Sequence, residues 1–248
     1  VAGEMHVAAR EIEFGSGAGI KSRMLLEALA EPAAYIPVEI SREILLDSCD
    51  ALRQAFADVP ILPVCADYTQ SLTLPDLPRP ARRFVAYFPG STIGNFQPDQ
   101  AERFLRRTAQ LVGSHGGLLI GVDLIKDQSR LEAAYDDAAG VTAAFNLNVL
   151  HRINRELGAS IDVGRFEHQA VFNPDHSRME MHLRSTVAQT VEIADVAIDF
   201  EAGETIHTEC SYKYALSDFA ALADRAGFTV EQVWLDEQQL FSVQWLTC

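Results

Sequence analysis

Basic residues are scarce in this chain. Lysine and arginine together number 20 against 35 aspartates and glutamates, giving a formal net charge of −15 and a pI near 4.8. Phosphate backbones and anionic lipid surfaces are held by clustered Lys and Arg, so the balance argues against a nucleic-acid partner and a membrane-surface partner. Also lacking is any apolar run of the roughly eighteen residues that cross a bilayer. Near the start, Glu4, Arg10, Glu11 and Glu13 stand where a signal peptide would place its apolar core. A cytoplasmic protein is expected. The four cysteines, Cys49, Cys65, Cys210 and Cys248, show no Cys-x-x-Cys or mixed Cys/His ligand spacing, and no two of the seven histidines stand four apart on a helix face. Free thiols and no metal follow. Repeats and low-complexity segments are absent too. With 248 residues, 48% hydrophobic and 22% charged, the chain has ordinary globular composition and lies between one large domain and two small ones.

What the chain does have is a glycine loop, Phe14-Gly15-Ser16-Gly17-Ala18-Gly19, between a short apolar strand ending at Phe14 and a helical pattern over 21–29. Glycines let a backbone turn sharply and approach a ligand while the amides opening the next helix point at it. Ile20 stands where a phosphate-binding P-loop needs Gly before its Lys-Ser pair, and also where a dinucleotide fingerprint needs its third Gly. ATP and NAD both lose ground, and a nucleoside ligand without pyrophosphate, such as S-adenosylmethionine, suits the loop better. A tight strand-to-helix turn with no ligand is the plain alternative. Residues 34–38 read as the next strand, ending at Glu39, where doubly wound folds place a carboxylate on ribose hydroxyls. The apolar run 61–68 ends in Asp67 and Tyr68, an acceptor for the adenine amine and a ring to cover its face. Singly these acids also suit strand ends and caps; together they favour an adenosine site.

Strand-like and helix-like runs alternate to about residue 125. A helix over 41–57 has Ser41 as N-cap and Ile44, Leu45, Leu52 and Phe56 as its apolar face; 83–88 is a strand, 98–112 a helix and 118–124 a strand. The alternation implies an α/β fold with a parallel, Rossmann-like sheet. The rhythm then changes. Helices over 131–139 and 143–157 break at Gly140 and end near Gly158, and strands over 166–172 and 179–193 are joined by the turn Asn173-Pro174-Asp175-His176. We read 126–213 as an inserted α+β lobe. The first pattern resumes with a helix capped by Ser217 and ended at Gly227, then strands over 229–235 and 241–246, a closing pair that suits the seven-stranded class I methyltransferase sheet. This divides the chain into a nucleoside-binding domain, 1–125 with 214–248, and a substrate-binding lobe, 126–213.

Ligands of open α/β sheets lie beyond the carboxyl ends of the strands. The loop after the fourth strand, Phe88-Pro89-Gly90-Ser91-Thr92-Ile93-Gly94-Asn95-Phe96, brings Asn95, whose amide suits a zwitterion's carboxylate or amine; capping the turn before Pro98 is an equal use. In Thr208-Glu209-Cys210-Ser211-Tyr212-Lys213-Tyr214, Glu209 and Ser211 stand two apart and share a face if extended. A carboxylate and a hydroxyl there would match the two nitrogens of an imidazole, and a solvated strand face is the alternative. His207, beside them, reads as a surface imidazole.

These segments, with Tyr135-Asp136-Asp137-Ala138-Ala139-Gly140-Val141-Thr142-Ala143-Ala144-Phe145-Asn146 and 178–183, resemble the L-histidine Nα-methyltransferase family, which makes hercynine in ergothioneine biosynthesis. The resemblance spans almost the whole chain. It implies S-adenosylmethionine on Gly15, Gly17, Lys21, Glu39, Asp67 and Tyr68, the substrate's amino acid end at Asn95 and Tyr135, its imidazole on Glu209 and Ser211, and Met181 in the pocket wall or the core. Tyr135, with Asn95, would orient the amine. The family commonly has Asp where Glu39 stands. It also carries an N-terminal segment with a Tyr for the substrate carboxylate, whereas fourteen residues precede the glycine loop here. A monomer acting on a small amino acid is expected. Alternatives are a methyltransferase for another amino acid or biogenic amine, an NAD-dependent oxidoreductase, and a noncatalytic adenosine-binding protein.

Overall fold

The protein is described by a computed structural model over residues 9–29, 32–76 and 83–248; Glu4 lies outside the described residues. In chain order the elements are β1 (Ala9–Phe14), α1 (Ile20–Ala28), β2 (Ala34–Glu39), α2 (Arg42–Ala55), β3 (Val64–Cys65), β4 (Arg83–Phe88), α3 (Pro98–Val112), β5 (Gly117–Asp123), α4 (Gln128–Tyr135), α5 (Val141–Leu157), β6 (Phe166–Asn173), β7 (Arg178–Ser185), β8 (Gln189–Ile193), β9 (Val196–Phe200), β10 (Thr205–Tyr212), α6 (Leu216–Arg225), β11 (Thr229–Leu235) and β12 (Phe241–Thr247). They form two compact units. One holds the described residues up to Ile93 with Gln97–Leu124 and Tyr214–Cys248; the other holds Gly94–Phe96 and Ile125–Lys213. Among the described residues, no helix is long and apolar enough to cross a membrane.

In the first unit seven strands make one sheet in the order β11-β12-β5-β4-β1-β2-β3. The strands from β3 to β5 pair in parallel, while β12 runs antiparallel to both β5 and β11. Side chains alternate across a strand, so β1 feeds both faces. Ala9 clusters with Leu25 of α1, Val85, Leu119 and Trp245 on one face. On the other face Phe14 and Phe88 meet Phe104 of α3, with ring centroids 5.4 and 4.8 Å away. Helices therefore cover both faces, the doubly wound arrangement that places strand ends and their loops at one edge. Gly121 lets the Pro89 backbone lie directly on β5: a Cβ there would overlap the Pro89 carbonyl oxygen and stand 2.7 Å from Phe241 Cζ.

Several local expectations are corrected. Ile44 is 47% exposed, and α2 buries Leu45, Ser48, Cys49 and Leu52 instead; Ile44 is one residue, about 100° of helical turn, off that stripe. Ser41 occupies the N-cap position without a side-chain capping bond. Of the apolar run 61–68, Val64–Cys65 forms β3 and Ile61 makes an isolated bridge to Tyr35, because Pro60 and Pro63 supply no N–H to a ladder. The last helix starts at Leu216 with Ala215 at its N-cap, so Ser217 lies inside the first turn.

The second unit contains a three-stranded antiparallel sheet, β10-β7-β6, and the hairpin β8-β9. The segment 179–193 is thus two strands, interrupted where Ser185 Oγ donates to the Val187 carbonyl at 2.8 Å and Gln189 Nε2 donates to Ser185 Oγ at 2.7 Å. The first helix expected at 131–139 runs Gln128–Tyr135, started by Asp127, whose side chain accepts from the Arg130 N–H. Asp137 lies beyond its end and caps the next helix, accepting from the Val141 and Thr142 amides at 3.0 and 2.8 Å. Leu150 of α5 packs with Ile161, Phe166, Leu183 and Val191 into this unit's core.

Candidate active site

The glycine loop of the first unit is built from left-handed backbone. Gly15, Gly17 and Gly19 have φ of +67°, +49° and +72°, a region L side chains rarely adopt. The Gly15 N–H donates to the Val38 carbonyl at 2.8 Å, tying the loop to β2. At the end of β2, the Glu39 carboxylate accepts from the Gly17 N–H at 3.2 Å and from the Ser41 N–H at 3.1 Å, one bond on each oxygen. Each oxygen keeps a further lone pair for a diol. Lys21 reaches across the loop to Gly90, where a Cβ would stand 3.8 Å from its Nζ. A cleft of about 180 Å³ lies between Gly15–Lys21 and Pro89–Thr92, and a Cβ on Gly17 would meet nothing within 4 Å. An open glycine cradle with a carboxylate on one side and an ammonium donor on the other fits the ribose and the amino acid carboxylate of S-adenosylmethionine.

Asp67 and Tyr68 take their places less directly. Asp67 Oδ1 accepts from the Thr69 N–H at 2.8 Å and Thr69 Oγ1 at 2.6 Å, and these bonds hold its carboxyl below the usual range. Its capping role is therefore real, and the other oxygen is the one suited to an adenine amine. The half-buried Tyr68 ring joins an aromatic cluster with Phe14, Phe88 and Phe104, and its Cε1 lies 3.5 Å from where a Gly15 Cβ would be. A larger cavity, about 240 Å³, borders Tyr68, Leu72, Phe104 and Arg107. It contains neither the glycines nor Lys21, whereas the smaller cleft is lined by both and by Glu13.

Sequence reasoning missed the acids beneath this cleft. Glu13 accepts from the Tyr35 hydroxyl at 2.5 Å and from Ser22 Oγ. Burial pushes its carboxyl up to about 7, against the downward pull of those bonds and of Lys21. Glu11 is fully buried, neither oxygen finds a partner among the described residues, and burial together with Glu13 raises it well above its ordinary value. The signal was the Glu11-x-Glu13 alternation inside a parallel strand, where both faces are buried.

In the second unit, β10 carries Glu209 and Ser211, level with Met181 and Met179 of β7. Both therefore lie on one face, and the half-buried Glu209 carboxyl is pushed up by burial. Ser211 is 6% exposed and Met181 4%. Tyr135, the last residue of α4, donates from its hydroxyl to Ser211 Oγ at 2.9 Å, and Lys213 Nζ donates to both, at 2.8 and 2.9 Å. Tyr135 and Ser211, read above as serving opposite ends of a substrate, thus share one hydrogen-bonded cluster with a lysine not singled out there. Behind Tyr135, its carbonyl accepts from His168 Nε2 at 2.8 Å, while Asn146 Nδ2 donates to His168 Nδ1 at 2.9 Å and to the His182 carbonyl at 3.1 Å. These partners fix the His168 tautomer with its proton on Nε2. Gly94 lies against the same strand end, where a Cβ would stand 2.7 Å from the Tyr212 carbonyl oxygen and 3.3 Å from Ser211 Oγ. Asn95 follows, exposed. The cap before α3 comes from Gln97 paired with Gln100, not from Asn95.

Among the described residues, Glu180, His182 and His207 offer ligand-type atoms within 4.8 Å of one another. Their geometry is that of an ion-paired strand face. The two rings stack at 21°, so their lone pairs run in nearly parallel planes and do not converge. Arg178 and Asn173 bind the Glu180 carboxylate and, with His182, outweigh its burial, holding it at about 2. His207 is exposed, as read from the sequence, and its Nε2 donates to the Glu209 carbonyl at 3.0 Å.

The family described as histidine-specific methyltransferase, SAM-dependent, matches residues 2–248. The histidine N-alpha-methyltransferase of Mycolicibacterium smegmatis is 41% identical over 230 residues, covering 91% of this chain and 71% of the relative. Ergothioneine biosynthesis protein 1 of Schizosaccharomyces pombe is 25% identical over 225 residues, 88% of this chain and 29% of that protein. In fold alone, an S-adenosylmethionine-dependent methyltransferase from Clostridium acetobutylicum aligns over 98% of this chain and 85% of its own, with a TM-score of 0.54 at 9% identity.

Proposed function

This chain belongs to the histidine-specific, S-adenosylmethionine-dependent methyltransferase family, and on that premise we propose that it methylates the α-amine of L-histidine three times, giving hercynine on the way to ergothioneine. The observation that carries the substrate half of this reading is the Glu209, Ser211 and Tyr135 cluster: a carboxylate and a hydroxyl on one strand face, with a phenol 2.9 Å from the hydroxyl. When bound, S-adenosylmethionine would supply a sulfonium methyl to the amine lone pair in line, a carbon–nitrogen bond forming as the carbon–sulfur bond breaks and S-adenosylhomocysteine leaves. Gly15, Gly17, Lys21, Glu39, Asp67 and Tyr68 would hold the donor. The donor arrives activated, so the chain's task is alignment and admission of a deprotonated amine.

In this reading Tyr135 and Asn95 orient the amine, and Glu209 takes the imidazole N–H by a charge-assisted bond, which a site built around that ring turns into selectivity. No metal takes part, no nucleic acid or membrane is bound, and the enzyme is a cytoplasmic monomer. Incubation with S-adenosylmethionine and a panel of amino acids, products read by mass, tests it. Addition of three methyl groups to histidine alone is expected; methylation of another amine in its place would overturn the assignment.

A further inference from the structure

Lys213 is 3% exposed and is one of three lysines in the chain, with Lys21 and Lys126. Its Nζ donates to Tyr135 OH and Ser211 Oγ, the Tyr135 hydroxyl also donates to Ser211 Oγ, and Nζ lies 4.8 Å from the Tyr135 ring centroid. A hydroxyl oxygen has two lone pairs and one hydrogen, whereas lysine has donors and no acceptor. At Ser211 both lone pairs are occupied, one by Nζ and one by Tyr135. Only its own hydrogen is left to offer.

We propose that Lys213 is a positioning residue that makes Ser211 a donor only and thereby sets the polarity of the ring-binding site. The proposal rests on the histidine reading above. Glu209 and Ser211 share a face of β10, and Lys213 continues their two-residue alternation. Glu209 accepts; Ser211, pinned by Lys213, donates. That pair matches a neutral imidazole in one tautomer, with N–H toward Glu209 and lone pair toward Ser211. It penalises a ring with carbon at the second position, which would leave the Ser211 hydrogen buried and unmatched. Without Lys213, the Ser211 hydroxyl is free to turn back onto Tyr135 and be satisfied without a substrate.

A double-mutant cycle of Lys213→Met with Ser211→Ala tests this, read as KM and kcat for histidine, with S-adenosylmethionine affinity measured separately by calorimetry. Lys213→Met should raise KM roughly ten- to a hundredfold, the effect of losing one well-matched buried hydrogen bond. It should leave cofactor affinity within about twofold, since that depends on neither Ser211 nor Tyr135, and any change in kcat reports the separate bond from Lys213 to the Tyr135 hydroxyl. Once Ser211 is Ala, the same lysine replacement should raise KM at least about threefold less than it does with Ser211 present, the remainder being the lost bond to Tyr135. Equal losses in both backgrounds would mean that Lys213 supports the fold and not the serine, and would overturn the proposal. Should Lys213→Met not fold, the cycle is run with Lys213→Leu, which likewise carries no donor, under the same criterion. Failure of the wild-type enzyme to methylate histidine would remove the proposed function and this inference with it; histidine turnover with additive losses removes this inference alone.

Discussion

Replacing Glu13 by Gln should change how stability depends on pH. Glu13 is 2% exposed, and burial raises its carboxyl from 4.5 to about 7 despite hydrogen bonds from Ser22 and Tyr35. Between those two values the folded chain holds a proton that the unfolded chain has released. Stability contributed by this group is therefore fully present below pH 4.5 and lost as pH rises to about 7. At about 1.4 kcal/mol per pH unit, the span amounts to roughly 3 kcal/mol. Gln keeps an oxygen for both donors and never ionises. Its new N–H₂ group carries a cost, but that cost does not vary with pH, so the slope is diagnostic and the absolute stability is not. Urea unfolding of both proteins at about pH 5 and about pH 8 should show the variant gaining about 2.5 kcal/mol on wild type across the interval, close to 1 M in midpoint for a typical urea dependence. Both tryptophans, Trp234 and Trp245, lie in the first unit's sheet, so their fluorescence reports on the unit that contains Glu13. A difference that is flat with pH, or that shifts toward wild type as pH rises, would refute the reasoning.

Other perturbations separate the parts of the site. Glu209→Ala should lower kcat/KM for histidine by about a hundredfold or more through loss of a charge-assisted bond, while calorimetric affinity for S-adenosylmethionine stays within about twofold; equal losses would contradict the assignment. Asn146→Leu should destabilise the protein by about 1–3 kcal/mol in chemical unfolding, because the His168 ring and the His182 carbonyl each lose a buried donor. Its KM for histidine should also rise as Tyr135 loosens, and an unchanged KM would show that His168 does not position Tyr135. Gly121→Ala forces a Cβ into the Pro89 carbonyl and should cost about 2 kcal/mol or more by overpacking; an unaltered melting temperature would show that β5 yields at no cost.

The fold was legible wherever a local signal decided it. Gly15, Gly17 and Gly19 marked a turn that only left-handed backbone makes, and β4, α3 and β11 run between the residues their patterns indicated. The misses have physical causes. The break between β7 and β8 falls at Ser185 to Val187, a turn held by side-chain bonds of Ser185 and Gln189 with no Gly or Pro to mark it. Ile44 is apolar and exposed, which hydrophobicity alone cannot distinguish from a core position one residue away.

The candidate site divides along the same line. Glu209 and Ser211 share a face because strand alternation is a local property, readable from two positions in one segment. That Tyr135 reaches Ser211 across 76 residues of sequence is a tertiary fact, without local signature. Lys213 stands between these cases. It completes the Glu209, Ser211 alternation, and in a chain whose positive charge is otherwise almost all arginine, a lysine in the same register as two candidate ligand residues is unusual on composition alone. A compact ammonium presents three donors from a point, where guanidinium presents a planar fork. Bonding a phenol and a serine hydroxyl that are themselves hydrogen-bonded calls for the point, so the choice of lysine at 213 is explained by the two oxygens it must reach at once.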